Sequence, residues 1–176
     1  MINLYITNLG KYNEGYIIGK WLELPASDEE IEKVLKEIGI DGVIYEEYFF
    51  TDWESIEGIE INEYSSLKEL NEIAETLESL SEGDLKICQC LMKNENCSLE
   101  EAIEKKEERI IINLEKDTTV DECSNLAYSY INEIYGDVSD LSRETLERYF
   151  DFKSFGRDLS FDYFIDDNLN IAISNN

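Results

Sequence analysis

No histidine occurs in this chain of 176 residues. Its absence removes the commonest general base and every Ser-His or Cys-His mechanism. Bases are scarce as well: 15 Lys and Arg stand against 41 Asp and Glu, a formal net charge of -26. A surface of that sign repels phosphates, so direct nucleic-acid binding is not expected. The four cysteines, Cys88, Cys90, Cys97 and Cys123, form no Cys-x-x-Cys pair. Zinc would need all four thiols, and reduced, mostly buried thiols are the expectation instead. No apolar run reaches the roughly 18 residues of a membrane span, and Met1-Ile2-Asn3-Leu4 lacks the basic start of a signal peptide. A cytoplasmic, membrane-free protein is expected. Phosphate-cradling Gly loops, zinc motifs and nucleophile elbows are missing, and Gly10 and Gly15 fail the dinucleotide spacing. Carboxylate pairs could serve a glycosidase or a metal nuclease, but among so many acids pairs arise by chance. The expectation is therefore a non-enzyme with no metal and no cofactor.

What the chain has in quantity is acid and aromatics. Hydrophobic residues make up 43%, with 11 Tyr, 7 Phe and 2 Trp, too apolar for a disordered acidic tail. The acid is not a tail either. Residues 1–63 carry 15 acids against 4 bases, residues 64–109 carry 12 against 6, and residues 110–176 carry 14 against 5. Solubility or salt adaptation would explain such a balance. So would a strongly basic partner, such as a DNA-binding surface.

In chain order, Asn3–Thr7 reads as a strand, 8–15 as a Gly- and Asn-rich loop, and Tyr16–Leu24 as a second strand that Pro25 ends. Ser27 and Glu30 form a capping box. The helix after it puts Ile31, Val34, Leu35 and Ile38 on one face and stops at Gly39. Val43–Phe50 is a third strand, followed by an acidic exit loop. Ser66 with Glu69 and Ser98 with Glu101 make two more capping boxes. The first opens a helix with a Leu67, Leu70, Ile73, Leu77, Leu80 stripe. A short helix is expected over Asp84–Lys93, and a strand over Arg109–Leu114. Thr119 and Glu122 cap a helix whose core face is Cys123, Leu126, Ala127, Tyr130, Ile131 and Ile134, with Gly136 at its end. Ser142 starts another. Phe161–Ile165 and Leu169–Ile173 form a hairpin around Asp166-Asp167-Asn168, which reads as a turn and not as a calcium loop.

The helix after Ser98 is the densest in charge. At 100° per residue, Glu100, Glu101, Glu104, Glu107 and Glu108 share one side, opposite Leu99, Ala102 and Ile103. Continued helix through Glu108 would give about one charge per 2.4 Å of axis, against about one per 1.7 Å in duplex DNA. Like-charge pairs at i,i+4 oppose helix formation, and Lys105 can relieve only Glu101 at that spacing. A merely solvated face would interleave more Lys.

The most aromatic run is Leu146 to Leu159, which also holds Arg148, Lys153 and Arg157. Several features of the chain are similar to the ArdA antirestriction family. Arg148-Tyr149-Phe150-Asp151-Phe152 and Phe155-Gly156-Arg157-Asp158-Leu159 resemble its antirestriction motif. Leu4-Tyr5-Ile6-Thr7-Asn8-Leu9-Gly10-Lys11-Tyr12-Asn13-Glu14-Gly15, followed by Gly19-Lys20-Trp21, resembles its N-terminal signature. Glu46-Glu47-Tyr48, Asp52-Trp53-Glu54 and Asn62 to Leu67 with Glu69-Leu70-Asn71 fit it too.

The resemblance implies an α+β protein, an elongated chain of three small domains. These are an N-terminal mixed sheet plus helix (1–63), a central helical bundle (64–108) and a C-terminal mixed sheet plus helices (109–176). It implies a homodimeric DNA mimic from a mobile genetic element, a conjugative transposon or plasmid. The partner implied is a type I restriction-modification enzyme, bound at its specificity and methyltransferase subunits in place of DNA. The mimic surface is expected from Glu29, Glu32 and Glu37, then Glu46, Glu47, Asp52, Glu54, Glu57 and Glu60. Glu69, Glu72, Glu75, Glu78 and Asp84 continue it through the centre, followed by the five acids after Ser98 and by Asp121, Asp140 and Glu144. Tyr149, Phe150, Phe152, Phe155, Gly156, Arg157 and Asp158 are expected as the core of the last domain near the dimer contact, with Arg148 and Arg157 partnering nearby acids such as Asp151 or Asp158. The competing readings are an acidic chaperone-like partner of a basic protein, a calcium buffer, or a salt-adapted protein of unrelated function.

Overall fold

The computed structural model describes residues 2–114, 118–135 and 143–175. The fold is α+β and divides into two compact units, up to Ser81 and from Glu82 on. Each is described by itself. The first holds β1 (Ile2–Asn8), α1 (Leu9–Asn13), β2 (Gly19–Leu24), α2 (Asp28–Glu37), β3 (Tyr48–Glu54) and α3 (Leu67–Ser79). The second holds α4 (Glu82–Glu95), α5 (Leu99–Lys106), β4 (Ile111–Asn113), α6 (Glu122–Tyr130), a π-helical turn (Ile131–Tyr135), α7 (Arg143–Tyr149), α8 (Phe152–Leu159), β5 (Tyr163–Asp166) and β6 (Ile171–Ser174). The stretch 64–108 is thus shared, α3 going with the first unit and α4 and α5 with the second.

Both sheets are antiparallel throughout, where mixed sheets are expected, because each central strand is flanked by strands running against it. The first has the order β2-β1-β3, the second β4-β6-β5. On β1, Ile2, Leu4 and Ile6 are fully buried while Asn3 and Tyr5 are not, the period of two that a half-covered strand requires. Asn8 is buried at the end of β1 and spends both ends of its amide. Its oxygen accepts from the Lys11 N–H at 2.9 Å, capping α1, and its nitrogen donates to the Ile38 carbonyl at 3.1 Å. The loop expected over 8–15 therefore contains a short helix.

The Ser27–Glu30 capping box opens α2 as expected. At its far end Gly39 takes φ +84°, and Ile40 N–H donates to the Leu35 carbonyl at 2.9 Å while Gly39 N–H reaches Lys36. That is a Schellman closure, and it needs the glycine. The strand expected from Val43 begins only at Tyr48. Asp41 is the cause: its carboxylate accepts from the N–H groups of Val43, Ile44 and Tyr45 at 2.8–3.0 Å and holds 41–45 as a turn. Likewise β2 starts at Gly19, three residues later than expected. Ser66 caps α3 from its side chain alone, with no reciprocal bond from Glu69.

In the second unit α4 is longer than expected at both ends, and it buries Cys88, Cys90, Leu91 and Met92. The expected capping box at Ser98 and Glu101 is present. Asp121, not Thr119, caps α6, accepting from Ser124 N–H at 3.2 Å. Leu126 and Ala127 lie in the core, but so do Ser124, Asn125 and Ser129, because α8 crosses the other side of α6. Ile134 is exposed: a π turn shifts the helical phase from Ile131 onward, so the expected stripe ends before it. Gly136, Asp140 and Ser142 lie outside the described residues. The β5–β6 hairpin forms, and its turn is built by Asp166, which accepts from the N–H groups of Asn168 and Leu169 at 3.0 Å each.

Candidate interaction surface

Acids expected at the surface are there, with one exception. Glu29, Glu32 and Glu37 project from α2, and Glu46, Glu47, Asp52, Glu54, Glu57 and Glu60 from the β3 strand and its flanks. Glu69, Glu72, Glu75 and Glu78 project from α3. Glu100, Glu101, Glu104, Glu107, Glu108, Asp121 and Glu144 are exposed in the second unit. Asp84 is half-buried and binds Lys106 at 2.5 Å, so it serves the fold. Asp140 lies outside the described residues.

The acidic ridge after Ser98 differs from expectation in two ways. First, α5 stops at Lys106. Glu108 and Arg109 donate their N–H groups to the carbonyls of Lys105 and Lys106, three residues back. This tighter winding removes Glu107 and Glu108 from the helical ridge, so the uniform spacing computed for five charges holds only from Glu100 to Glu104. Second, Lys105 makes its close ion pair with Glu95 and reaches Glu101 only through the weaker field of the charge. Its ammonium sits 2.8 Å from Glu95 on α4, and Glu101 instead accepts from the Ser98 N–H.

The Lys105 arrangement is general. Every base among the described residues except Lys33 and Lys36 lies within 4.0 Å of a carboxylate of this chain. The least exposed of these pairs stitch elements together: Lys105 and Arg109 both reach Glu95, Lys106 reaches Asp84 on α4, and Lys93 approaches Asp166 at 3.7 Å. Meanwhile Glu29, Glu32, Glu46, Glu47, Glu60, Glu69, Glu78, Glu100, Glu104 and Glu108 are exposed and make no ion pair among the described residues. Most of the cations are thus paired with the chain's own acids, and the outward charge is left negative.

Proton affinities follow the local partners. Lys11 donates to Tyr45 Oη at 2.5 Å and to Glu14 at 2.9 Å, which raises its ammonium to about 12 and lowers Glu14. The three N–H donors at Asp41 hold its carboxyl below the usual range, with Tyr45 the largest cause. Burial, with Asp167 and Asp166 nearby, pushes Glu122 up. Burial also raises Cys90 to about 11, an inert thiol. Among the described residues no group of three His, Cys, Asp or Glu converges as a metal site, and no helix is long and apolar enough to cross a membrane.

The aromatic run splits between core and surface. Phe152 is buried and stacks on Tyr128 at 4.0 Å, and Phe155 sits half-buried, edge-on to Tyr130 and Phe150. Gly156 is buried against the Cys123 backbone. Tyr149, however, is 81% exposed and Phe150 38%, because α7 ends there and the chain turns before α8. With Glu147, Arg148 and Asp151 they line an open depression. Arg148 and Arg157 do approach local acids, Glu144 at 3.8 Å and Asp158 at 3.9 Å, but on the surface rather than inside.

One feature of the first unit was not foreseen as a site. On the sheet face away from the core, the register sets Tyr5 between Trp21 and Asp52, and Asn3 between Glu23 and Glu54. The Tyr5 and Trp21 rings meet edge to face at 5.3 Å. Strand alternation alone would have located them, had Tyr5 and Trp21 been placed in register. A family model described as "Antirestriction protein (ArdA)" matches residues 4–168. No individual curated protein matches the chain.

Proposed function

This chain belongs to the ArdA family of antirestriction proteins, and on that premise we propose that it inhibits type I restriction-modification enzymes as a folded mimic of DNA. The observation that carries the reading is the disposition of charge. Bases are turned onto the chain's own acids, while Glu29, Glu32, Glu69, Glu78, Glu100 and Glu104 stand outward from helices α2, α3 and α5 without ion pairs. A groove that neutralises phosphates with Lys and Arg meets fixed carboxylates in their place, and counterions leave both partners.

Helix-borne carboxylates are preorganised, so little ordering free energy opposes binding. Each exposed pair is worth only ~0–1 kcal/mol, so affinity is the sum of many weak contacts and falls steeply with salt. Occupancy of the specificity and methyltransferase subunits would block restriction and modification together. The chain acts without cofactor, and self-association into a homodimer through the Tyr149–Phe150 region belongs to the same proposal. The test is direct competition. A type I enzyme is given unmodified DNA with excess protein, and cleavage should be suppressed, with more protein needed as DNA or salt increases. Undiminished cleavage at any protein excess would sink the proposal.

A further inference from the structure

The outer face of the first sheet is covered at Thr7 and Phe49, and its other end, around Asn3, Tyr5 and Trp21, combines two features that plain charge mimicry does not require. Its centre is aromatic: Trp21 is 44% exposed and lies edge-on to Tyr5. Its border is acidic: Glu23 and Glu54 flank Asn3, and Asp52 flanks Tyr5 on the side away from Trp21. Two strand spacings put the Glu23 and Glu54 backbones about 9.5 Å apart, with Tyr5 and Trp21 one pleat along.

The face is built for this arrangement. Gly19 pairs with Thr7 on the same side of β2 as Trp21. A Cβ at Gly19 would lie 2.6 Å from the Tyr5 ring and 2.7 Å from Thr7 Oγ1, so the glycine gives the Tyr5 ring its place across β2. Neutralising charge is kept off the face. Lys20 is the one base of β2, and it shares the parity of Leu22 and Leu24. It therefore points to the helix-covered side, where its ammonium bonds Glu37 of α2. Asp52 and Glu23 make no ion pair among the described residues, and Glu54 accepts only a long bond from Asn3 at 3.4 Å.

We propose that this face is a docking platform for an arginine side chain of the protein partner. The proposal rests on the mimic reading and gives one patch of that surface a specific occupant. A guanidinium is flat, weakly hydrated and always charged. It stacks on an indole or phenol face while its in-plane N–H groups reach carboxylates at the border. An ammonium satisfies the carboxylates but cannot stack in the same way. The platform therefore prefers Arg to Lys at equal charge, a preference that a uniform field of carboxylates lacks.

The test compares two synthetic peptides, four arginines spaced by glycine and four lysines spaced by glycine, on the full-length protein at fixed salt. The reporter is the indole N–H signal of Trp21, separated from that of Trp53 with a Trp53→Phe variant. The arginine peptide should shift the Trp21 signal and bind about 2- to 5-fold more tightly than the lysine peptide. Trp21→Leu should erase the preference and keep salt-dependent binding of both peptides, while Trp21→Tyr, which retains a ring, should keep the preference. Equal binding of the two peptides to the unaltered protein overturns the platform, and so does a preference that survives Trp21→Leu. In the cleavage assay Trp21→Leu should raise the half-inhibiting concentration with the salt slope unchanged. An unaltered protein that fails to inhibit at all refutes the mimic reading instead, whatever the peptides do. A second copy of the chain as occupant would appear as a concentration-dependent Trp21 shift without peptide, and would also overturn the assignment.

Discussion

Gly156 on α8 lies so close to Cys123 on α6 that a Cβ built on the glycine would sit 1.6 Å from the Cys123 carbonyl oxygen. The obstacle is backbone, which cannot swing aside as a side chain tip can. Gly156→Ala must therefore push the two helices apart and break the Tyr128–Phe152 stack beside them. The expected cost exceeds the ~1–3 kcal/mol of ordinary overpacking. Thermal unfolding should show the second unit melting well below its normal temperature, and an unchanged melting curve would contradict this packing.

Asn8 offers a comparable test in the first unit. Asn8→Ala removes an acceptor from Lys11 N–H and a donor from the Ile38 carbonyl in a buried place. A loss of about 1–3 kcal/mol is expected, read from the urea midpoint at constant slope.

Charge removal should act in the opposite sense on stability and on inhibition. Glu100, Glu104 and Glu108 changed together to Gln remove three outward charges without touching the Ser98–Glu101 box. Inhibition of cleavage should weaken, its salt slope should become shallower, and the melting temperature should hold or rise. Each of these changes alone should have little effect. Retention of full inhibition by the triple variant would show that these positions lie off the contact.

Acid should weaken the Asp41 turn. Its carboxyl is held below the ordinary carboxylate range by three N–H donors, so the ionised form is favoured by the fold. That contribution is complete above the unfolded value and is lost as pH falls through the depressed one. Asp41→Asn should therefore flatten the stability curve between about pH 4 and lower pH relative to the unaltered chain. Parallel melting profiles of the two proteins over that range would refute the assignment.

Salt separates the mimic from a salt-adapted protein. Packed cores in both units should keep the chain folded at about 10 mM salt, with a modest gain in melting temperature at about 2 M as repulsion is screened. Unfolding at the low value would favour salt adaptation.

The sequence made the periodic elements plain and the interrupted ones obscure. Ser27 and Ser98 announced their helices because a side chain three residues on completes each cap locally. Acid on the outside was legible for the same reason, since helical phase places Glu29 or Glu72 opposite the apolar stripe. Asp41 misled the reading of Val43–Phe50, because a β-branched and aromatic run looks like strand until a carboxylate gathers its N–H groups. The split of the aromatic run also escaped: no spacing rule tells that Tyr149 ends a helix at the surface while Phe152 begins the next one inside. Nor could spacing show that Lys105 and Arg109 converge on Glu95, a partner set by how α4 and α5 fold back on each other.

The alternation of β2 has a bearing on how such a surface can vary. Lys20 and Trp21 are neighbours in the chain and stand on opposite sides of the sheet. A one-residue slip of the whole strand against β1 would exchange their sides. The slip would place an ammonium on the side of Tyr5 and turn the Trp21 indole, together with Glu23, to the side of Leu4 and Ile6. What fixes the sign of that face is therefore strand parity rather than the number of acids, and a homologous chain could keep its full net charge yet lose the face through a shift of one residue.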